Sequence, residues 1–136
     1  MTVIVCLCDE GGMMFNNRRQ SRDRVLIEDI SRSCEDGAMF VSSFSAPLFE
    51  SSTLSCIEVS NPLESAESGD YAFVENLHLK DYRDKIEGMI IYRWNRSYPH
   101  DFELDVYPSE LGMSLDVSYE FAGSSHEKIT KEVYKR

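Results

Sequence analysis

Six consecutive apolar residues, from Val3 to Cys8, are the strongest constraint on the fold of this 136-residue chain. No polar residue alternates with them, so a strand formed here would be buried on both faces. Such strands are typical of sheets that carry helices on both sides. We therefore predict a central buried strand over residues 3–8, ended by the acidic and glycine-rich residues 9–12.

Predicted strands and helices alternate along the next eighty residues. Ser21 is the predicted N-cap of a helix in which Leu26, Ile30 and Cys34 recur at helical spacing, until Gly37 ends it. The other predicted elements are strands at 38–41, 53–59, 71–74 and 89–94, a short helix or turn at 43–51, a loop at 61–70 and a helix at 79–88.

The last third of the chain has a different pattern. Five apolar residues alternate with polar ones, which predicts a half-buried antiparallel strand: Met113, Leu115, Val117, Tyr119 and Phe121. Residues 128–134 can return as its hairpin partner. Together these elements predict one α/β domain over residues 1–136, with three layers and a mixed, mainly parallel sheet that ends in an antiparallel hairpin.

The composition restricts the classes of partner. The formal net charge is -10, which disfavours general nucleic-acid binding because phosphate neutralisation needs lysine and arginine. No apolar run approaches the roughly 20 residues of a membrane helix, and the first residues lack the basic start of a signal peptide. Cys6 and Cys8 lie two apart, but in an apolar run instead of a turn, and the three histidines add no paired ligands, so we expect reduced core cysteines and no metal site. We expect a cytoplasmic protein.

One basic segment, FNNRRQSRDR at residues 15–24, stands out in this acidic chain. A guanidinium group matches phosphate or carboxylate, and a helix N-terminus adds backbone donors, so the segment predicts an anion site. The alternative is a solvated loop whose arginines pair with the acidic surface. The candidate ligand-binding residues are Asn16, Arg18, Arg19 and Arg22.

Asp23 lies inside this segment, at helical spacing from the apolar stripe of the predicted helix. A carboxylate at the edge of a core, beside the end of a buried strand, is where we expect a raised pKa if a pocket lies there. The alternative is a structural role, in which the helix dipole favours the acid and Arg19 or Arg22 neutralises it.

A second candidate surface is the segment RWNRSYPHD at residues 93–101. Arginine and aromatic side chains together are typical of interface hot spots. The candidate interaction residues are Arg93, Trp94, Arg96 and Tyr98. An exposed Trp94, together with open strand edges, would permit a homodimer. The alternative is a core tryptophan with exposed flanks.

The order of these elements resembles the dihydrofolate reductase family. Residues 3–30 match its buried first strand, glycine-containing loop and following helix, whose first turn carries the acidic residue that binds the pterin. Asp23 falls at that acidic position, and would be the catalytic residue of a reductase. Residues 80–108 and 114–136 parallel the family's last helix, a strand, an acidic segment and the closing hairpin.

The departures from the family pattern fall where the chemistry should be. The Pro-Trp pair after the first loop is replaced by Arg18-Arg19 or Arg19-Gln20. The Gly-Arg-x-Thr segment that seats cofactor phosphate corresponds to SSFS at residues 42–45, and the paired glycines near the pyrophosphate correspond to Glu75-Asn76. The resemblance therefore implies a retained scaffold without an NADPH site, and we expect no cofactor.

Three functions remain open. The leading interpretation is a non-catalytic module that binds a small anionic ligand or a protein partner. One alternative is an NAD(P)H-dependent reductase of a pterin-like heterocycle, in which Asp23 assists protonation. The other is an acidic inhibitor or immunity-type protein that binds a basic partner through residues 101–120 by electrostatic complementarity.

Overall fold

The structure is a computed structural model that describes residues 1–136. Its ten strands are β1 (Thr2–Leu7), β2 (Gly12–Phe15), β3 (Arg18–Arg19), β4 (Met39–Val41), β5 (Cys56–Glu58), β6 (Tyr71–Phe73), β7 (Gly88–Arg93), β8 (Phe102–Glu103), β9 (Ser114–Phe121) and β10 (Ile129–Lys135). The α-helices are α1 (Arg24–Ser33) and α2 (Pro62–Ser65), and three 3-10 helices cover Ala46–Phe49, Lys80–Lys85 and Pro108–Leu111.

Seven strands form the main sheet in the order β5-β4-β6-β1-β7-β10-β9. The first five are parallel to one another, whereas β10 runs antiparallel to both β7 and β9. The predicted mixed, mainly parallel sheet with a terminal antiparallel hairpin is confirmed. A separate three-stranded sheet, in the order β3-β2-β8, holds the first part of the basic segment.

The central strand β1 is buried on both faces, as its unbroken apolar sequence predicts. Val3, Val5 and Leu7 face one apolar core, and Ile4 faces a second core that includes Leu26 of α1. Each such side chain stabilises the folded state by about 1.5–3 kcal/mol through burial. Two cores on opposite faces of one sheet give the predicted three layers.

Some predicted boundaries are wrong. The N-cap of α1 is Asp23, not Ser21, because the Asp23 carboxylate accepts hydrogen bonds from the first free amides of the helix. The predicted loop at 61–70 contains α2, which Asn61 caps and Pro62 starts. The predicted helix at 79–88 is a 3-10 helix with no buried residue, so no apolar face holds a longer α-helix in place.

The prediction of a half-buried β9 is also wrong. β9 is the last strand of the sheet, and its apolar side chains Leu115, Val117 and Tyr119 are 52%, 45% and 41% exposed. Apolar alternation predicts a strand but does not say whether a second layer covers it. The core beneath α1 takes in residues of β7 and β10, and of β9 only Phe121 packs against it. No helix of the structure is long and apolar enough to cross a membrane.

Candidate functional site

The candidate site lies where three parallel strands end. The carboxyl ends of β1, β6 and β7 meet the loop that precedes α1 and the turn that joins β9 to β10. In open α/β sheets, ligands bind outside the carboxyl ends of the strands, where loops supply the functional side chains.

Asp23 joins these elements through its carboxylate. As the N-cap of α1, its Oδ1 accepts hydrogen bonds from the amides of Val25, at 2.9 Å, and Leu26, at 3.2 Å. The β9–β10 turn adds the amide of Ser124 at 3.0 Å and that of Ser125 at 2.9 Å. A Cβ atom at Gly123 would lie 2.3 Å from the Asp23 carboxylate, so this close approach requires glycine.

These contacts determine the ionisation of Asp23. Burial alone would raise the pKa of the carboxyl group. The hydrogen bonds from Ser125, His126, Ser124 and Leu26 outweigh burial and hold the pKa well below its usual range. The expectation of a raised pKa is therefore wrong, because the carboxylate faces a set of donors instead of an apolar pocket.

His126 is the partner of Asp23, in place of the arginines considered from the sequence. Its Nδ1 lies 2.9 Å from Oδ2 of Asp23, and both side chains are buried. A carboxylate only accepts, so Nδ1 donates to it and Nε2 of the neutral ring is an acceptor. The hydroxyls of Ser21 and Tyr98 each lie 3.0 Å from Nε2. The ring also stacks on Trp94, at 4.5 Å between centroids.

Arg19 has a structural partner as well. Its guanidinium forms a two-pronged ion pair with Glu75, in which Nε and the NH2 group each lie 2.9 Å from a carboxylate oxygen. The same group donates to the carbonyl of Phe44 and lies over its ring, while Ser45 donates to Glu75 at 2.7 Å. Paired charges in this geometry join the basic segment to the end of β6.

Two cavities adjoin at the start of α1. The inner one, of about 20 Å³, lies between Cys6, Arg19, Ser21, Glu75 and Trp94. It has roughly room for a single water molecule. The outer cavity measures about 380 Å³, within the range of small-molecule sites. Its lining includes two arginines and four serines, which are Arg22, Arg24, Ser51, Ser52, Ser124 and Ser125.

Comparisons with known proteins identify the architecture. No protein-family model and no curated protein matches the chain. Among solved structures, the chain is similar to a dihydrofolate reductase from Enterococcus faecalis complexed with NADP(H) and RAB-propyl, with a TM-score of 0.67 over 99% of this chain and 95% of that chain. This chain has a dihydrofolate reductase-like fold. The sequence identity is 8%, so the similarity concerns the fold alone, and function has to be argued from the site.

Within the dihydrofolate reductase-like fold, the predicted ligand-binding residues do not form a single site. Asn16 and Arg18 lie at the exposed β2–β3 hairpin and line neither cavity. Arg19 is held by Glu75. Arg22 lines the outer cavity, where Arg24, absent from the predicted set, joins it.

The residues predicted for a protein interface do not form one exposed patch. Trp94 is 5% exposed and belongs to the core beneath α1, so the core tryptophan is found and the surface tryptophan is not. Arg93 is half-buried and pairs with Glu132 at 2.8 Å. Tyr98 faces His126, and the exposed Arg96 lies over the Tyr98 ring.

A set of metal-ligating side chains was missed by sequence spacing. Cys8, Glu10 and His100 bring their ligand atoms within 4.8 Å of one another. They offer three of the four ligands of a tetrahedral zinc site. His100 also contacts Glu103, at 2.8 Å. The separation of His100 from Cys8 along the chain concealed this cluster.

His126 and Glu75 are the main site residues that the sequence did not indicate. His126 follows a glycine and two serines, a pattern that marks only a turn. In the sequence, Glu75 stands out only as a replacement for one of the family's paired glycines, with nothing to indicate an arginine partner. The pairing of two buried polar partners across the fold leaves no periodic signal in a single sequence.

Proposed function

We propose that the chain is a ligand-binding module on a dihydrofolate reductase-like scaffold, which binds a small anion in the outer cavity and does not catalyse hydride transfer. The observation that carries the proposal is the contrast between the two cavities. The inner one is nearly filled by protein, and the outer one is open and lined by arginines.

The filled inner cavity argues against a reductase. The family resemblance implies that a pterin contacts the acidic residue at position 23 and that cofactor pyrophosphate passes close to positions 75 and 76. Here Asp23 accepts hydrogen bonds from protein donors, and the Arg19–Glu75 pair occupies the space between the loop and β6. Glu75 would also repel a pyrophosphate.

The outer cavity suits a small carboxylate or phosphate. Arg22 and Arg24 are exposed and flank the start of α1, where the helix dipole also favours negative charge. Arg24 pairs with Glu28 on the surface, an exposed contact that a ligand can displace at little cost. Four serine side chains and the carboxyl groups of Asp23 and Glu28 complete the polar lining.

Thermal unfolding with added ligands tests this proposal. Phosphate, citrate and NADPH are each added to the purified protein, and the midpoint of unfolding is compared with that of the free protein. An anion at about 100 times its dissociation constant should stabilise the folded state by roughly 2.7 kcal/mol. We expect this response from a small anion, its loss in Arg22→Ala/Arg24→Ala, and its retention in Arg18→Ala, whose arginine lies outside both cavities.

Other outcomes point to the competing functions. Stabilisation by NADPH that survives Arg22→Ala/Arg24→Ala would contradict the proposal and favour the reductase. Failure of every anion, together with salt-sensitive capture of a basic protein, would favour the acidic inhibitor.

A further inference from the structure

Three side chains at the start of α1 form a continuous relay. Ser21 Oγ lies 3.0 Å from Nε2 of His126, and Nδ1 of His126 lies 2.9 Å from Oδ2 of Asp23. A serine hydroxyl, a histidine and a buried carboxylate joined in this order are the diagnostic arrangement of an activated nucleophile. The relay joins the loop before α1 to the β9–β10 turn.

The surroundings supply what such a relay needs. Asp23 is fixed by four backbone amides, so it holds the His126 ring in the tautomer that leaves Nε2 free to accept a proton. The amides of Ser21 and Arg22 donate no hydrogen bond within the chain. Backbone amides without an acceptor beside a nucleophile are what an oxyanion requires, and in serine hydrolases the amide that follows the nucleophile has this role.

The position of Ser21 defines the size and charge of a substrate. Ser21 is half-buried and lines the inner cavity, whose volume of about 20 Å³ has room for about one water molecule, so an acyl group beside Ser21 has to be small. The inner and outer cavities share Arg22, Asp23, Ile27 and Leu48. A substrate whose leaving group lies in the outer cavity would contact the arginines there, while its ester carbonyl reaches Ser21.

We propose that Ser21 is the nucleophile of a hydrolase site, with His126 as general base and Asp23 as its positioning residue, for small acyl esters whose leaving group is anionic. This activity goes beyond the proposed binding function and rests on it only for the preference for an anionic leaving group. Hydride transfer has no part in it.

The reaction balances without any cofactor. Ser21 Oγ bonds to the ester carbonyl carbon while its proton moves to Nε2 of His126. The ester C–O bond breaks, the leaving alkoxide takes that proton, and an acyl-serine remains. Water then attacks the acyl carbon and gives a proton to Nε2. The C–O bond to Ser21 breaks, and Oγ recovers the proton as the carboxylic acid leaves.

Tyr98 allows a purely structural role to be distinguished from a catalytic one. Its hydroxyl also lies 3.0 Å from Nε2 and competes with Ser21 for the same acceptor. If the hydrogen bonds to His126 only hold the loop before α1 in place, those from Ser21 and Tyr98 contribute to stability in a similar way. If His126 activates Ser21, the loss of Tyr98 leaves Ser21 as the sole donor to Nε2 and does not slow its chemistry.

The test is covalent labelling of the full chain by a fluorophosphonate probe, located by peptide mass spectrometry, together with the burst of nitrophenolate from p-nitrophenyl acetate. The variants are Ser21→Ala, His126→Gln and Tyr98→Phe. Ser97→Ala is the control, because Ser97 is an exposed serine that contacts Glu10 outside the site. We expect the label on Ser21, an unchanged rate in Ser97→Ala, no slowing in Tyr98→Phe, and a loss on the order of 10²–10⁴-fold in His126→Gln.

Absence of the label from Ser21, or equal slowing in Tyr98→Phe and His126→Gln, would overturn the proposal. If His126→Gln does not fold, the pH profile of wild-type labelling decides. Asp23 and Tyr98 are the titratable groups that contact the ring, so a single-proton titration supports His126 as the base, and a rate proportional to hydroxide contradicts it. The rate enhancement over uncatalysed hydrolysis is compared between 4-acetoxybenzoate, an anionic ester, and the neutral p-nitrophenyl acetate. If Ser21 is labelled but the anionic ester shows no larger enhancement, the anionic preference is refuted and the assignment of the nucleophile is retained.

Discussion

Removal of the Asp23 carboxylate tests the central polar contact of the fold. In Asp23→Ala, the amides of Val25 and Leu26 lose their cap, which costs about 1 kcal/mol. The amides of Ser124 and Ser125 and the Nδ1 atom of His126 also lose their acceptor, and buried donors left without a partner cost about 1–3 kcal/mol. We expect the free energy of unfolding to fall by about 2–4 kcal/mol in total.

Asp23→Asn separates these two contributions. Asparagine is as good an N-cap as aspartate, so the helix start is retained. Its amide nitrogen, however, places hydrogen atoms against the donors of Ser125 and His126, so the part of the second cost that comes from these two donors remains. For a chain of this length, 1 kcal/mol corresponds to roughly 3–5 °C in Tm. Asp23→Ala should therefore unfold at least 6 °C below wild type by this scale, with Asp23→Asn between them.

The pH dependence of the same difference has a definite sign. The pKa of Asp23 is lower in the folded state than in the unfolded chain, so its contribution is complete above about pH 4 and is lost as the pH falls further. The gap between wild type and Asp23→Ala, measured by urea unfolding, should therefore shrink in acid. A constant gap from pH 7 to pH 3, or a Tm for Asp23→Ala within about 3 °C of wild type, would refute this reasoning.

Two further predictions concern buried or half-buried ionisable groups outside the site. Asp29 accepts hydrogen bonds from two tyrosine hydroxyls and pairs with Lys131 at 3.1 Å, and these contacts lower its pKa although burial raises it. In urea unfolding, Asp29→Asn should lower the free energy of unfolding by about 3 kcal/mol at pH 7 and by less below about pH 4. An equal loss at the two pH values would contradict this. Burial raises the pKa of Cys34 to about 12 and that of Cys56 to about 11. Neither thiol should therefore react with iodoacetamide at pH 8 in the folded protein, which the intact mass of the protein would show. A rapid adduct on Cys34 would contradict the burial argument.

The fold was predictable because its strongest patterns are local. The unbroken apolar run at residues 3–8 indicates burial on both faces, and the alternation at 113–121 indicates an antiparallel strand. The exposure of Leu115 and Val117 was not predictable, since it depends on where α1 lies relative to the last strand. Local pattern specifies the element, and its neighbours decide its burial.

The site was only partly predictable for a related reason. Ser21 and Asp23 are both favourable N-cap residues two positions apart, and propensity alone does not choose between them. The β9–β10 turn decides, because its amides and His126 converge on the residue at position 23. Similarly, the sequence indicated an arginine cluster, but only the position of Glu75 at the end of β6 shows that Arg19 is held inside the molecule.

The arginines of the basic segment are not paired with the aspartate between them, Asp23, because it is buried. The start of α1 has no acidic residue in its first turn, and Asp23, which would otherwise neutralise the arginines, lies in the interior against His126. Arg22 and Arg24 therefore remain at the outer cavity, where Arg24 pairs with Glu28 and Arg22 has no ion pair, although the whole chain carries a net charge of -10. Under the proposed function, an anion is attracted by these two arginines against the net negative charge of the rest of the chain.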